Sequence, residues 1–213
     1  MEQIITALSV QKKNPNRVNV YLDGEYAFGL SRIVAAWLKI GQKLNEKEIE
    51  KLKDKDALEI ITQRVYHFQS YRLRTEKEIS KFLISKGYEN EKIKDVIQIM
   101  KEKGEIDDCQ FVEKWIENRS LNKPRGKKAI TVELIKKGIN REQIVEGLSH
   151  LGNEDELAYN AGKKYANRLS LNDKKIFIKK LTAFLGRRGF EYETIRESVG
   201  KIWNELQTSR ELE

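Results

Sequence analysis

This 213-residue chain has one cysteine, two prolines and two histidines, so it is poor in the residues that staple, break or metallate a fold. Cys109 alone cannot form an intrachain disulfide, and Asp107 and Asp108 beside it disfavour the thiolate that a nucleophile needs. His67 and His150 each lack a second histidine, cysteine or carboxylate at metal-ligand spacing, which excludes the ordinary zinc patterns. No apolar run approaches the roughly 18 residues that span a bilayer. The N-terminus lacks the basic-then-apolar layout of a secretory signal, so a soluble, cytoplasmic protein is expected. Serine–histidine–aspartate groupings, nucleophile elbows and glycine-rich nucleotide loops are missing as well. The expectation is therefore a protein without catalytic residues, cofactor or metal.

Charge is what the chain has in quantity. Lysine and arginine number 41 against 33 aspartates and glutamates, a net +8, with 35% of residues charged and 39% hydrophobic. With so little proline, that balance predicts helices with thin apolar stripes and heavily charged outer faces. An excess of this size favours a polyanionic partner, nucleic acid being the commonest; a merely basic soluble protein is the equal alternative. The excess is local: residues 57–108 are balanced, whereas 109–153 carry a net +4.

Residues 3–10 and 17–22 read as strands, the second because Val18, Val20 and Leu22 alternate with polar or amphipathic neighbours. Asp23-Gly24 supplies the turn, since both central positions of a type I′ hairpin need positive φ. Tyr26 and Phe28 lie on the return strand, and KKNPN at 12–16 reads as a loop. The expectation is a β-hairpin or three-stranded sheet that needs a helix against it. From Ser31 the period becomes helical. Ser31 is placed to cap a helix ending at Gly41, with Trp37 on its apolar face. Asn45 and Glu48 then form a capping-box pattern, with Leu44 and Ile49 as a staple, before a helix over 46–69 with a break near 54–56.

Beyond residue 56 one unit recurs. Segments 79–100, 130–151 and 181–202 align without a gap at an offset of 51. Ile79, Ile130 and Leu181 match, as do Leu83, Leu134 and Leu185. Gly87, Gly138 and Gly189 follow, each with an apolar or aromatic residue directly after it: Tyr88, Ile139 and Phe190. The next helix aligns Ile93, Ile144 and Ile195, then Ile97, Leu148 and Val199, then Met100, Leu151 and Ile202. The spacings put these side chains on one helical face, and glycine just past a helix end adopts the left-handed backbone of a cap. Asn90 and Asn140 are placed as N-caps. Each pair has an amphipathic helix upstream, at 57–69, 109–119 and 157–169, so the unit is three helices. The expected organisation is an extension at 1–56 and repeats at 57–108, 109–153 and 154–213. The fold class is mainly all-α, an elongated tandem array after a small N-terminal sheet. Trp115 and Trp203, like Trp37, read as core rather than as base-stacking platforms.

Two matched columns are basic: Lys77, Lys128 and Lys179, and Lys86, Lys137 and Arg188. They solvate outer helical faces or form a periodic charged ridge. The loop KPRGKK is more telling. Lys123, Arg125, Lys127 and Lys128 surround Pro124 and Gly126 with no acid nearby in sequence, so their repulsion calls for a polyanion or an acidic protein. Arg125, Lys127 and Lys128 are accordingly expected to tolerate reversal to glutamate without unfolding. Thr75 and Glu78 form a capping box, and Arg72 and Arg74 stand just ahead of it, placed for a partner or for helix-end solvation. With Arg119 and Arg187, these cations make the candidate binding surface. Asp107 and Asp108 read as the N-cap of the helix near Cys109.

RLRTEKE at Arg72 to Glu78, Lys-Gly-Tyr at Lys86 to Tyr88, the junction Gly104 to Phe111, and Lys-Gly-Ile at Lys137 to Ile139 stand in an order that closely resembles the RecX family of RecA regulators. The likeness covers about residues 57–205, and the N-terminal hairpin looks like the extension of longer members. The resemblance implies a curved helical monomer of three three-helix units. It implies binding to RecA filaments on single-stranded DNA, in the filament groove, and suppression of ATPase, strand exchange and co-protease activity. Weak direct DNA contact is compatible with this. The alternative is a helix-turn-helix-like regulator of duplex DNA.

Overall fold

The computed structural model describes residues 2–211, which form four strands and ten helices. The chain divides into two compact units, Met1–Leu73 with Ile79–Ile106, and Arg74–Glu78 with Asp107–Glu213.

In the first unit, β1 (Glu2–Gln11), β2 (Asn14–Leu22) and β3 (Glu25–Ser31) form an antiparallel meander. Asp23 and Gly24 have φ of 51° and 93°, the doubly positive turn their identities demand. The strand β2 begins inside the stretch read as a loop. Pro15 is tolerated there because pairing with β3 starts at Arg17. A fourth strand, β4 (Lys43–Asn45), joins the start of β1, giving the order β3-β2-β1-β4 rather than the three strands expected. Three residues are too few to show an alternating pattern, so this pairing leaves no periodic signal.

The helix expected from Ser31 to Gly41 is cut to α1 (Arg32–Ala35). Ser31 gives no side-chain cap; its backbone N–H donates to the Asp56 carboxylate at 2.5 Å. The Ile5 N–H donates to the Gln42 carbonyl and the Gly41 N–H to the Ile5 carbonyl, which draws residues 41–42 onto β1 and ends the helical path before Trp37. Helix α2 (Glu46–Gln69) opens on the predicted Asn45–Glu48 capping box and runs unbroken through 54–56. Asp56 is buried at that point, with Arg17 Nη2 3.0 Å away as the counter-charge that a buried carboxylate requires. Ile5, Val20, Leu22 and Leu30 of the sheet pack with Leu44. Farther along α2, Ile61 and Val65 share a second core with Ile79 and Leu83 of α3 (Glu76–Ser85) and Ile93, Ile97 and Met100 of α4 (Asn90–Glu102).

In the second unit, α5 (Asp108–Leu121), α6 (Lys127–Lys137) and α7 (Arg141–Ser149) enclose Phe111, Ile116, Ile130, Leu134 and Ile144. A further core lies among α8 (Glu154–Ala166), α9 (Lys174–Arg187) and α10 (Tyr192–Glu211), around Phe177, Leu181, Leu185, Ile195 and Ile202. The repeat is visible residue by residue. Gly87, Gly138 and Gly189 have φ of 81°, 94° and 80°. After each, a backbone N–H donates five residues back, Tyr88 to Leu83, Ile139 to Leu134 and Phe190 to Leu185, the hydrogen bond that closes a Schellman cap. Asn140 caps α7 as expected, but Glu89 rather than Asn90 stands at the cap of α4 and bonds nothing there. Trp203 is core; Trp37 is 86% exposed, contrary to expectation.

Candidate interaction surface

The basic loop does not stand in open solvent. Gly126, which precedes α6, donates its N–H to the Arg188 carbonyl at 2.9 Å, and Arg188 Nη1 returns a bond to the Pro124 carbonyl at 2.8 Å. A Cβ on Gly126 would meet the Gly189 carbonyl oxygen at 2.3 Å, so only glycine lets the loop approach the α9 cap so closely. The same joint occurs one repeat earlier. The Thr75 hydroxyl, 51 residues before Gly126, donates to the carbonyl of Lys137, 51 residues before Arg188, at 2.8 Å. Each joint also uses an acid at the first residue of a later helix. Asp108 of α5 accepts from the Glu76 N–H at 3.0 Å, and Glu154 of α8 accepts from the Lys127 N–H at 2.9 Å. Asp107 alone is the N-cap of α5, accepting from Cys109 and Gln110, so the paired acids have separate tasks.

These joints correct the reading that no acid lies near the loop. Arg125 pairs with Glu133 at 2.8 Å, Lys127 approaches Glu154 at 4.0 Å and Lys128 meets Glu191 at 2.7 Å. Glu133 also accepts from Trp115 Nε1 at 2.8 Å and Arg119 Nε at 2.7 Å, one turn apart on α5. The Arg119 guanidinium lies 4.4 Å from the Trp115 ring centre. Lys137 is half-buried, 2.7 Å from Glu78 and 4.8 Å from the Trp115 ring. Arg188 stacks on Phe184 at 4.6 Å, and burial, with Arg125 as a lesser cause, holds its guanidinium below the usual value. Reversing Arg125 would set a carboxylate against Glu133, so it is not the neutral surface change the sequence suggested.

The eleven candidate cations therefore fall into two groups. Arg119, Arg125, Lys127, Lys128, Lys137 and Arg188 hold intramolecular partners. Arg72 donates to the Leu73 carbonyl, and neither it nor Arg74 is without a partner. Lys123, Lys179 and Arg187 are exposed, and their side chains have no partner among the described residues. No group of three or more metal-binding side chains occurs among the described residues, and none of their helices is long and apolar enough to cross a membrane. The acids that complete the joints were invisible in sequence because they lie 8 to 63 residues from their cations; only their helix-start positions, at Asp108 and Glu154, offered a signal.

Residues 3–45 match the family model of the regulatory protein RecX N-terminal domain, 107–148 that of the RecX second three-helix domain, and 153–199 that of its third. A regulatory protein RecX of Clostridium tetani is 34% identical over 93% of this chain and 94% of its own. Another, from Clostridium botulinum, is 32% identical over 94% and 96%. A crystal structure of a regulatory protein RecX is similar at a TM-score of 0.75 and 25% identity, covering 91% of this chain and 97% of that one. The RecX of Lactobacillus salivarius, at 24% identity and a TM-score of 0.62 over 70% of this chain, is similar in fold.

Proposed function

This chain belongs to the RecX family of regulatory proteins, and from that premise we propose that it binds RecA filaments on single-stranded DNA and restrains them. The observation that carries this reading is likeness to RecX proteins along nearly the whole chain, joined to exposed cations in the second and third helical repeats, Lys123, Lys179 and Arg187, whose side chains have no partner among the described residues. A polymer of repeating anionic and protein surfaces suits such modules, because several weak contacts made at once give avidity. The protein supplies no chemistry of its own; it lowers RecA ATPase, strand exchange and co-protease activity by occupying the filament, in the cytoplasm where that filament forms. Lys123, Lys179 and Arg187 make the contact, while Arg119, Arg125, Lys137 and Arg188, held by their intramolecular partners, keep the modules in register. Arg72, Arg74, Lys127 and Lys128 contribute secondary contacts.

The test is the triple variant K123E/K179E/R187E, which breaks no intramolecular pair. It is expected to melt with the parent protein and to need about tenfold more protein for half-inhibition of RecA ATPase on single-stranded DNA, an effect that shrinks as salt rises. Undiminished inhibition by the folded triple variant overturns this surface assignment. A gel-shift preference for duplex DNA over RecA–single-strand complexes overturns the filament reading itself.

A further inference from the structure

We propose that the cleft beside Trp37, in the first unit, is a docking site for an acidic amphipathic segment of a partner protein. Trp37 is 86% exposed and Ile33 61%, and both line a cleft of about 450 Å³ with Leu58 of α2 and Ile99 of α4. Scattered apolar side chains on a surface are ordinary, but a tryptophan and aliphatics converging on one concavity mark an interface, and tryptophan is a frequent anchor. The volume lies within the range of sites that enclose a few ligand groups.

The rim states what kind of partner fits. Lys55 and Lys103 line the cleft, both exposed, and neither ammonium has a partner among the described residues. Glu59, the acid that lines it, already accepts from Gln63 Nε2 at 2.8 Å. An apolar floor with unneutralised lysines at its edge is complementary to a segment that carries carboxylates beside leucine-like side chains. Nucleic acid matches less well. Phosphates would satisfy the lysines, but Trp37 is the one ring lining the cleft, and Ile33, Leu58 and Ile99 offer no stacking faces. A second copy of the chain, itself at +8, would bring like charge.

Selection of short random displayed peptides on the full-length protein, with the W37D variant as counter-target, tests this. Trp37 is exposed, so the variant is expected to keep the parent's circular dichroism and melting. Enriched peptides are expected to interleave acidic and apolar residues, to shift Trp37 emission to the blue, and to lose at least about tenfold in affinity on W37D. K55E/K103E is expected to prefer the same peptides with lysine in place of glutamate. Three results would each overturn the proposal: no enrichment over W37D, enrichment of basic or uncharged peptides, or quenching of Trp37 by oligothymidylate as strong as any peptide's effect.

Discussion

The loop at 123–128 and the cleft beside Trp37 hold the same kinds of residue in opposite conditions. Read along the chain, the loop is all cation, yet Arg125, Lys127 and Lys128 meet Glu133, Glu154 and Glu191. Lys55 sits between Asp54 and Asp56, and Lys103 beside Glu102, yet neither lysine is paired among the described residues. Two of the three acids next to them are engaged elsewhere, Asp56 by Arg17 and Ser31 and Glu102 by Gln98, while Asp54 is exposed. A run of like charge in sequence thus measures local density, whereas neutralisation is decided by what the fold brings across. The region that looked unsatisfied is a joint, and the region that looked balanced presents unspent charge.

The largest expected effect tests whether the loop is seated. Gly189 and Gly87 share a left-handed backbone, but a Cβ on Gly189 would meet the Ala129 nitrogen at 2.4 Å and one on Gly87 would meet nothing within 4 Å. Gly189→Ala is expected to cost about 3 kcal/mol, from the left-handed strain plus overpacking, and Gly87→Ala about 1 kcal/mol from the strain alone. By calorimetry that is a fall in Tm of about 6–12 °C against about 2–4 °C. Equal falls would mean that the joint yields, and the loop would again be an open surface.

Next comes the charge at the joint. Glu133→Gln leaves Arg119 and Arg125 without their anion while the amide still accepts from Trp115. The pair is partly exposed, so about 2 kcal/mol is expected rather than the larger cost of a fully buried pair. K55E/K103E, made where no pair exists, is expected to change urea-denaturation stability by less than about 0.5 kcal/mol. Similar losses in the two variants would erase the distinction between spent and unspent cations.

What could be read ahead of the structure divides by the range of the cause. The repeat was legible because its determinants are local: a helical period, a glycine that ends the helix, an apolar residue that closes the cap. Ile79, Ile130 and Leu181 are all fully buried, as the alignment requires. The hairpin turn at Asp23 and Gly24 and the Asn45 box were legible for the same reason. Trp37 was misassigned because helical spacing cannot register that Gly41 and Gln42 are bonded to β1. β4 needed a partner strand forty residues away. The candidate surface was legible in its residue types but not in its pairing, since Lys137 and Arg188 look like solvated helix ends until the preceding module's loop is laid against them.

The smallest expected effect lies where the same three-part tether is exposed. Trp115 and Arg119 on α5 hold Glu133; Tyr159 and Lys163 on α8 hold Glu205 of α10. The Tyr159 hydroxyl donates to Glu205 at 2.5 Å, and that bond, followed by Lys163, keeps the carboxyl below the ordinary carboxylate value. Tyr159 and then Glu205 raise the Lys163 ammonium above its own. Because the folded carboxyl lies below the unfolded one, its contribution is present above the ordinary carboxylate range and is lost as pH falls through the folded value. That of Lys163 is present below about 10.4 and lost as pH rises through the raised value. Tyr159→Phe removes the first cause of both shifts, so carbon-13 titration is expected to show Glu205 rising and Lys163 falling toward their ordinary values. The melting temperature should scarcely move, because exposed pairs contribute little. Titrations unchanged in Tyr159→Phe would show that solvent already outcompetes the hydroxyl. The difference between the two tethers would then be one of kind, with burial at Glu133 creating an interaction that exposure at Glu205 abolishes.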